Sequence, residues 1–386
     1  MHTAADSWST TTPELFERIR HAVEDGRPLA VATVVDVEAA AYRRPGGRML
    51  IEPDGTTYGG ITAGCLEGPL REVAGDVLES GAATVVTYDL TEDDGWGLGI
   101  GCNGVIDVLV EPVDGSWRRA VDAYANREAC SLVTAVESTD PSIPIGARTT
   151  VGSHGSGSDD QPVDDRASLP PSIVDGVAAR GRACAATGDV DRIRVPTEAG
   201  EVVLVVDGIE PPHRLVVFGS QPDVRPVTQL AARVGLRVTV ATARGARATD
   251  DAFPAAERVL SVHPSELADV GLDGRTSVVI MSHNFVDDGL ALEAALGSET
   301  PYIGLMGPRK RFEELRAALE EDGVELSADD RERIATPVGL DLGGGEPMEI
   351  ALSIVSEVVA VGNGRDGGRL VDGTGPVHER RSVSRE

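Results

Sequence analysis

Lysine is almost missing from this chain of 386 residues: Lys310 is the only one, and the rest of its 35 basic residues are arginine. Set against 63 aspartates and glutamates, they leave a net charge of -28. A surface of that sign disfavours general affinity for nucleic acid or anionic membranes. Aromatic residues are scarce at 3%, so the cores have to be built from Val, Leu, Ile and Ala. The cysteines, at 65, 102, 130 and 184, show no CxxC spacing, which argues against a disulfide framework or a structural zinc site. No apolar run reaches the roughly 18 residues of a membrane-crossing helix. The opening stretch "MHTAADSWSTTTPELF" lacks the charged-then-apolar pattern of an export signal, so a soluble, cytoplasmic protein is expected.

What is present fits a globular chain. Hydrophobic residues make up 41%, and the length exceeds one ordinary core, so two domains are expected. Acidic self-repulsion would strain a compact fold in dilute buffer. In molar salt the screening length falls to about 3 Å, and that repulsion fades. An acidic surface nearly free of lysine therefore points to a salt-loving cell interior.

The hydrophobic rhythm divides the chain. Residues 1–12 are polar and read as frayed. "TPELFERIRHAVEDG" reads as a helix capped by Thr12, with Pro13 in its first turn. Strands follow in "PLAVATVVDVE" and in "RMLIEPDGTTYGGIT", the latter folded at Asp54-Gly55. "LREVAGDVLESG" reads as a helix, "ATVVTYDL" and "NGVIDVLVEPV" as strands, "WRRAVDAYANREA" as a helix and "CSLVTAVES" as a strand. This part, 13–212, is α+β. Within it, 152–171 is rich in Gly, Ser, Asp and Pro and reads as a flexible acidic insertion. From His213 to Gly362, short apolar strands such as "RLVVF", "LRVTVA", "TSVVIMS" and "PYIGLMG" alternate with helices. That pattern predicts a doubly wound parallel sheet. Residues 363–386 read as a disordered tail.

Four places could carry chemistry. The first strand of the parallel sheet ends in "FGSQPDVRP". Gly219 keeps the tight turn of a dinucleotide site, but Gln221 and Val224 replace its second and third glycines. Asp223 adds negative charge there, and the second strand ends in Thr242 and Arg244 instead of an acid, so NAD(P) is not the expected ligand. In "GLMGPRKRFEEL", Arg309, Lys310 and Arg311 occupy a helix start, where cations oppose the helix dipole; an anion seated there would resolve the conflict. Ser282, His283 and Asn284 follow a strand at the sheet's ligand-binding end, where His283 could contact phosphate or move a proton. Finally, Cys65 with Glu67 in "ITAGCLEG" and Cys102 in "GWGLGIGCNG" sit in glycine-flanked loops. Arg43, Arg44 and Arg48 in "YRRPGGRML" add a basic cluster. Thiol, glycine loop and arginines suit a soft metal or a sulfur-bearing anion. Cys130 and Cys184, among Ala and Leu, read as packing residues.

Those segments, together with "PVGLDLGGGEPMEIALSIVSEVVA", make the chain resemble the XdhC/CoxI family of xanthine dehydrogenase accessory factors over most of 13–362. The resemblance implies an N-terminal XdhC/CoxI domain and a C-terminal Rossmann domain. It implies a chaperone that binds molybdenum cofactor, supports its sulfuration through a cysteine desulfurase and delivers it to an apo molybdenum hydroxylase, with a homodimer possible. The family's glycine-motif cysteines fall on Cys65 and Cys102. Gly219, His283, Arg309, Lys310, Arg311, Arg43 and Arg44 join them as candidate cofactor contacts. The turn at Ser220, Gln221 and Pro222 departs from the family's pattern.

Two rival readings stay open at this point: an NAD(P)-dependent oxidoreductase, which nicotinamide nucleotide titration would reveal, and a protein-binding scaffold for the apo-hydroxylase, which would need neither cysteine nor the basic loop. The charge makes one prediction of its own. The thermal unfolding midpoint should fall as KCl is lowered from molar to dilute concentrations. An unchanged midpoint would mean that the surface is acidic without being adapted to salt.

Overall fold

The computed structural model describes residues 7–39, 41–90, 104–152 and 168–372. The chain divides between Pro211 and Pro212 into two compact units. In the first, α1 (Thr12–Asp25), β1 (Ala30–Ala39), β2 (Arg48–Ile51), β3 (Thr57–Gly59), α2 (Glu67–Ser80), β4 (Thr84–Asp89) and β5 (Gly104–Pro112) form one half. The other half holds α3 (Arg118–Ala125), β6 (Cys130–Ser138), β7 (Arg148–Gly152), α4 (Pro171–Thr187), β8 (Val190–Pro196) and β9 (Glu201–Ile209).

The two halves repeat one design. Their antiparallel sheets run β3-β2-β1-β5-β4 and β7-β6-β9-β8, the same order once the short β3 is set aside. Both first strands shift register at matching places, between Val34 and Asp36 and between Ala135 and Glu137. Before each second strand stands a glycine with φ near +87°, Gly46 or Gly146, a conformation that costs a side-chain-bearing residue. Each donates its N–H to the first strand at 2.8 Å, to Val34 O and Ala135 O respectively. Each is followed two residues later by an arginine, Arg48 opposite Thr33 and Arg148 opposite Thr134.

Those arginines reach across to the other half. Arg48 pairs with Asp207 on β9, and Arg148 pairs with Glu111 on β5. Asp207 stands opposite Leu132 as Glu111 stands opposite Val31, so the two ion pairs are the same contact made in both directions. All four side chains are nearly excluded from solvent. Burial pushes the Asp207 carboxyl up, while Arg48 pulls it back down. The Trp117 ring is near both cations, its centroid 4.7 Å from the Arg148 guanidinium and 5.9 Å from that of Arg48. Around this centre, Leu70, Ala74 and Val77 of α2 pack on the first sheet. Ile173, Val177 and Cys184 of α4 cover the second sheet. Val35, Leu109, Val136, Val203 and Val205 join the facing surfaces.

In the second unit, six strands lie parallel: β10 (Arg214–Phe218), β11 (Arg237–Thr242), β12 (Arg258–Ser261), β13 (Thr276–Ile280), β14 (Tyr302–Leu305) and β15 (Ile334–Ala335). Their order, β12-β11-β10-β13-β14-β15, is that of a doubly wound dinucleotide fold. Helices α5 (Val224–Arg233), α6 (Phe285–Leu296), α7 (Arg309–Glu321), α8 (Ala328–Arg333) and α9 (Pro347–Gly362) connect or follow them. Leu215 and Val217 face a core shared with α5 and α9, while Val216 and Phe218 face one shared with α6 and α7. Both faces of the sheet are covered, which is why its strands read as continuous apolar runs.

Four local expectations change. Thr11, not Thr12, precedes α1, and its N–H and hydroxyl donate to Glu14 at 2.7 and 2.9 Å, because the carboxylate three residues on completes a capping box. Residues 7–11 are held by Trp8, whose indole N–H donates to Thr62 O at 3.2 Å. Both ends of the expected 152–171 insertion are ordered: Gly152 closes β7, Ser168 bridges to Arg148, and Leu169 is buried; residues 153–167 lie outside the described residues. Beyond α9, Asn363 closes the helix, and Gly367 lies against Leu340, where a side chain on it would collide, while Leu370 and Val371 are exposed.

The crossed ion pairs generate a stability prediction. Arg148→Met should cost about 3–5 kcal/mol in chemical unfolding, since it strands Glu111 in the interior. Adding Glu111→Leu should recover most of that loss. A single variant as stable as the parent would show that the pair is not holding the halves together.

Candidate functional site

The loop before α2 is folded around one carboxylate. Glu67, the first residue of α2, is buried. Its oxygens accept from the Thr62 N–H at 3.0 Å, the Thr62 hydroxyl at 2.7 Å and the Leu66 N–H at 3.1 Å. The Thr62 oxygen in turn accepts from the N–H groups of Cys65 and Leu66, both at 3.1 Å. A carboxylate at a helix start satisfies donors that the helix itself cannot. Gly64, at φ +114°, makes the turn into Cys65. Glu67 was expected with Cys65 and Cys102 as part of a candidate sulfur site; three of the roughly four acceptor positions of its carboxylate are taken by loop donors, which fixes the backbone around Cys65.

Cys65 is a free, half-buried thiol. Cys130 and Cys184 are buried, and burial pushes their thiols up to about 12 and about 11, as packing residues. Cys102 and most of its glycine loop lie outside the described residues.

A second loop is tied to the first by Trp8. The indole covers Gly60 so closely that a Cβ there would come within 2.4 Å of Nε1. It holds Thr62 O and stacks at a tilt on Tyr42, centroids 5.6 Å apart. Trp8 is 43% and Tyr42 51% exposed. Next to Tyr42, Arg43 is half-buried, and a Cβ on Gly47 would fall 3.1 Å from its Nε. Burial pulls the Arg43 guanidinium below its ordinary value, and Arg48 adds to the effect. No acid pairs with it among the described residues. Arg44 is exposed, and Arg48 is spent on Asp207. The arginines stand out in the sequence and the aromatics do not, although a tryptophan in a polar leading segment of an aromatic-poor chain is a signal of its own.

In the second unit a cavity of about 160 Å³ opens at the point where strand order reverses, beside Gly219, Gln221, Thr242, Arg244, Ser282 and His283. It is smaller than the roughly 300 Å³ at which pockets for drug-sized ligands begin. Gly219 is required there, because a Cβ would come within 2.6 Å of the Met281 carbonyl oxygen. His283, at φ +59°, meets Asp223 through Nε2 at 2.6 Å, and Arg244 pairs with Asp287 at 2.9 Å. The expected basic cluster at the α7 start does not act as one group. Arg311 is bound at 2.6 Å to Asp288, a buried carboxylate that also accepts from Ser282. Lys310 lies 3.7 Å from Glu314 and is exposed. Arg309 has no ion pair among the described residues. Arg311 turns inward because Asp288 needs a partner more than a solvated helix end does. Among the described residues, no group of three His, Cys, Asp or Glu side chains could hold a metal, and no helix is long and apolar enough to cross a membrane.

Comparisons with known proteins agree with this layout. Residues 22–89 match the family model described as "XdhC and CoxI family", and residues 215–358 match the XdhC Rossmann domain. The chain is 28% identical over 344 residues to a protein of Bacillus subtilis named as a probable subunit of xanthine dehydrogenase, covering 87% of this chain and 94% of that protein. It is 22% identical over 347 residues to the molybdenum cofactor insertion chaperone PaoD of Escherichia coli, covering 89% and 87% of the two chains. A crystal structure described as a xanthine dehydrogenase from Bacillus halodurans is similar with a TM-score of 0.72 at 28% identity, over 92% of this chain and 97% of that one.

The thiol environments can be read out directly. With its thiol at about 12, Cys130 is thiolate in only about one molecule in ten thousand at pH 8. Iodoacetamide on the folded protein, followed by peptide mass spectrometry, should label Cys65 well ahead of Cys130 and Cys184. Equal labelling of the three would place Cys65 in the core.

Proposed function

The chain belongs to the XdhC and CoxI family, and from that premise we propose that it is a carrier of molybdenum cofactor for an apo molybdenum hydroxylase. The observation that carries this reading is Cys65: a half-buried thiol on a loop whose backbone is fixed by Glu67 and Thr62. The role named for the Escherichia coli relative, cofactor insertion, supports it.

The residues present suit such a cargo. Molybdenum cofactor is an anionic pterin whose dithiolene holds the metal, and it supplies the oxo and sulfido chemistry of the client. A thiolate is the soft donor that such a metal site accepts. Glu67 and Thr62 keep the Cys65 backbone in one place, so the sulfur need not be ordered when cargo arrives. Partial exposure leaves the same sulfur accessible for transfer onward. In this reading a cysteine desulfurase delivers sulfur while the cofactor is held, and the carrier completes no turnover of its own. The switch-point cavity, with Gln221 and Thr242 where a dinucleotide site wants glycine and an acid, gives an NAD(P)-dependent reading no support of its own.

Cys65→Ser keeps the size and removes the soft donor. Its co-purified molybdenum should fall by at least the roughly tenfold that loss of even an outer-shell partner costs a metal site. Its melting temperature should stay unchanged, and the client should accumulate in an inactive form that lacks the cofactor or its sulfido ligand. Cys130→Ala is the control and should retain cofactor. Retention by Cys65→Ser with normal client maturation would reject the sulfur assignment.

A further inference from the structure

Arg43 combines desolvation with the lack of an acidic partner. Acids outnumber basic residues 63 to 35, and the most deeply buried arginines of this unit are matched, Arg48 by Asp207 and Arg148 by Glu111; half-buried Arg18 also lacks an ion pair among the described residues, but it lies over the Tyr58 ring at 3.5 Å. Arg43 has no carboxylate within reach among the described residues, lies across Gly47, and has Arg48 as a like-charged neighbour. A half-buried cation left unpaired among so many acids is held at a cost, unless an anion from outside completes it.

Beside it stand the exposed rings of Trp8 and Tyr42. With aromatics at 3% of the chain, two large rings stacked together at the surface are not spare core material. Trp8 is fixed by its bond to Thr62 O and by its fit over Gly60, so one ring of the pair is already ordered. Thr62 also bonds the Cys65 N–H, which ties this ring to the thiol loop. A flat heteroaromatic ring stacks on aromatic side chains at a gain of about 1–3 kcal/mol in the comparable case of nucleobases. A guanidinium next to it offers paired donors to a carboxylate or phosphate.

We propose that Trp8, Tyr42 and Arg43 form a subsite for a planar heteroaromatic ring carrying an anionic group, of the pterin class. The rings stack on the ligand's flat face, Arg43 binds its anion, and Cys65 serves the other end of the same cargo. The assignment rests on the proposed cofactor role but makes a separate demand, because this subsite needs neither metal nor sulfur.

The test uses the full chain, pterin-6-carboxylate as probe, and tryptophan fluorescence with calorimetry as readouts. The parent should bind saturably with quenching of tryptophan emission, and a Trp8→Phe variant should lose that quenching. Arg43→Ala should weaken binding about tenfold or more, the loss of a charge-assisted contact, and should leave binding of the uncharged parent pterin unchanged. Tyr42→Leu should weaken both probes without touching the bond from Trp8 to Thr62, so a folding defect at residues 7–11 cannot imitate the result. Cys65→Ser should bind pterin-6-carboxylate as the parent does, which separates failure of this subsite from failure of the sulfur assignment. Equal affinity of Arg43→Ala for the carboxylated probe, or adenosine monophosphate binding as tightly as the pterin, would overturn the proposal. So would the absence of binding to the parent.

Discussion

Two buried ion pairs, each reaching from one half of the N-terminal unit into the other, set the frame for everything around them. Arg48 with Asp207 and Arg148 with Glu111 are one contact made twice. Buried pairs bring little net stability compared with apolar packing, but removing one partner is expensive. They therefore act less as glue than as a register: the sheets cannot slide without stranding four charges. Their effect reaches the candidate site directly. Arg48 also donates to Gly46 O at 3.1 Å, which fixes the turn after Arg43, and its positive charge faces Arg43 while Asp207 is spent on Arg48 alone.

The duplicated design explains how one fold supplies both a scaffold and a site. In the first half, the link from second strand to helix contains β3 and the loop "GGITAGCLEG". In the second half, the corresponding link is "SHGSGSDDQPVDDRASLPP", which has no cysteine. The two halves hold each other in place, while only the first carries a thiol at the start of its helix. Glu67 gives that loop its own internal support, and Ile61 and Leu66 on either side of Cys65 anchor it in the core of the first half.

Much of this was legible in the sequence where pattern and physics coincide. The parallel sheet was readable because strands buried on both faces, such as "RLVVF" and "TSVVI", must be apolar throughout. Helix α4 was missed because its buried positions include Gly181 and Ala185, small residues that leave no amphipathic signal while Val151 packs within 3.1 Å of where a Cβ on Gly181 would lie. The basic run 309–311 looked like one cluster because sequence does not show that Arg311 is drawn to Asp288, 23 positions earlier. Glu67 joined the candidate sulfur site because it stands two positions after Cys65, but spacing says nothing about which loop donors its carboxylate holds. The duplication escaped notice because it survives in only a few positions, Gly46 and Arg48 against Gly146 and Arg148.

The central claim is that this chain carries molybdenum cofactor. It is tested most directly by expressing the intact protein in a host that makes the cofactor, purifying it without denaturation, and measuring molybdenum and pterin on the same sample. The account predicts both, in equal amounts and approaching one of each per chain. Protein free of both that nevertheless brings its client hydroxylase to full activity would contradict it, and would leave a scaffold for the apoenzyme in its place.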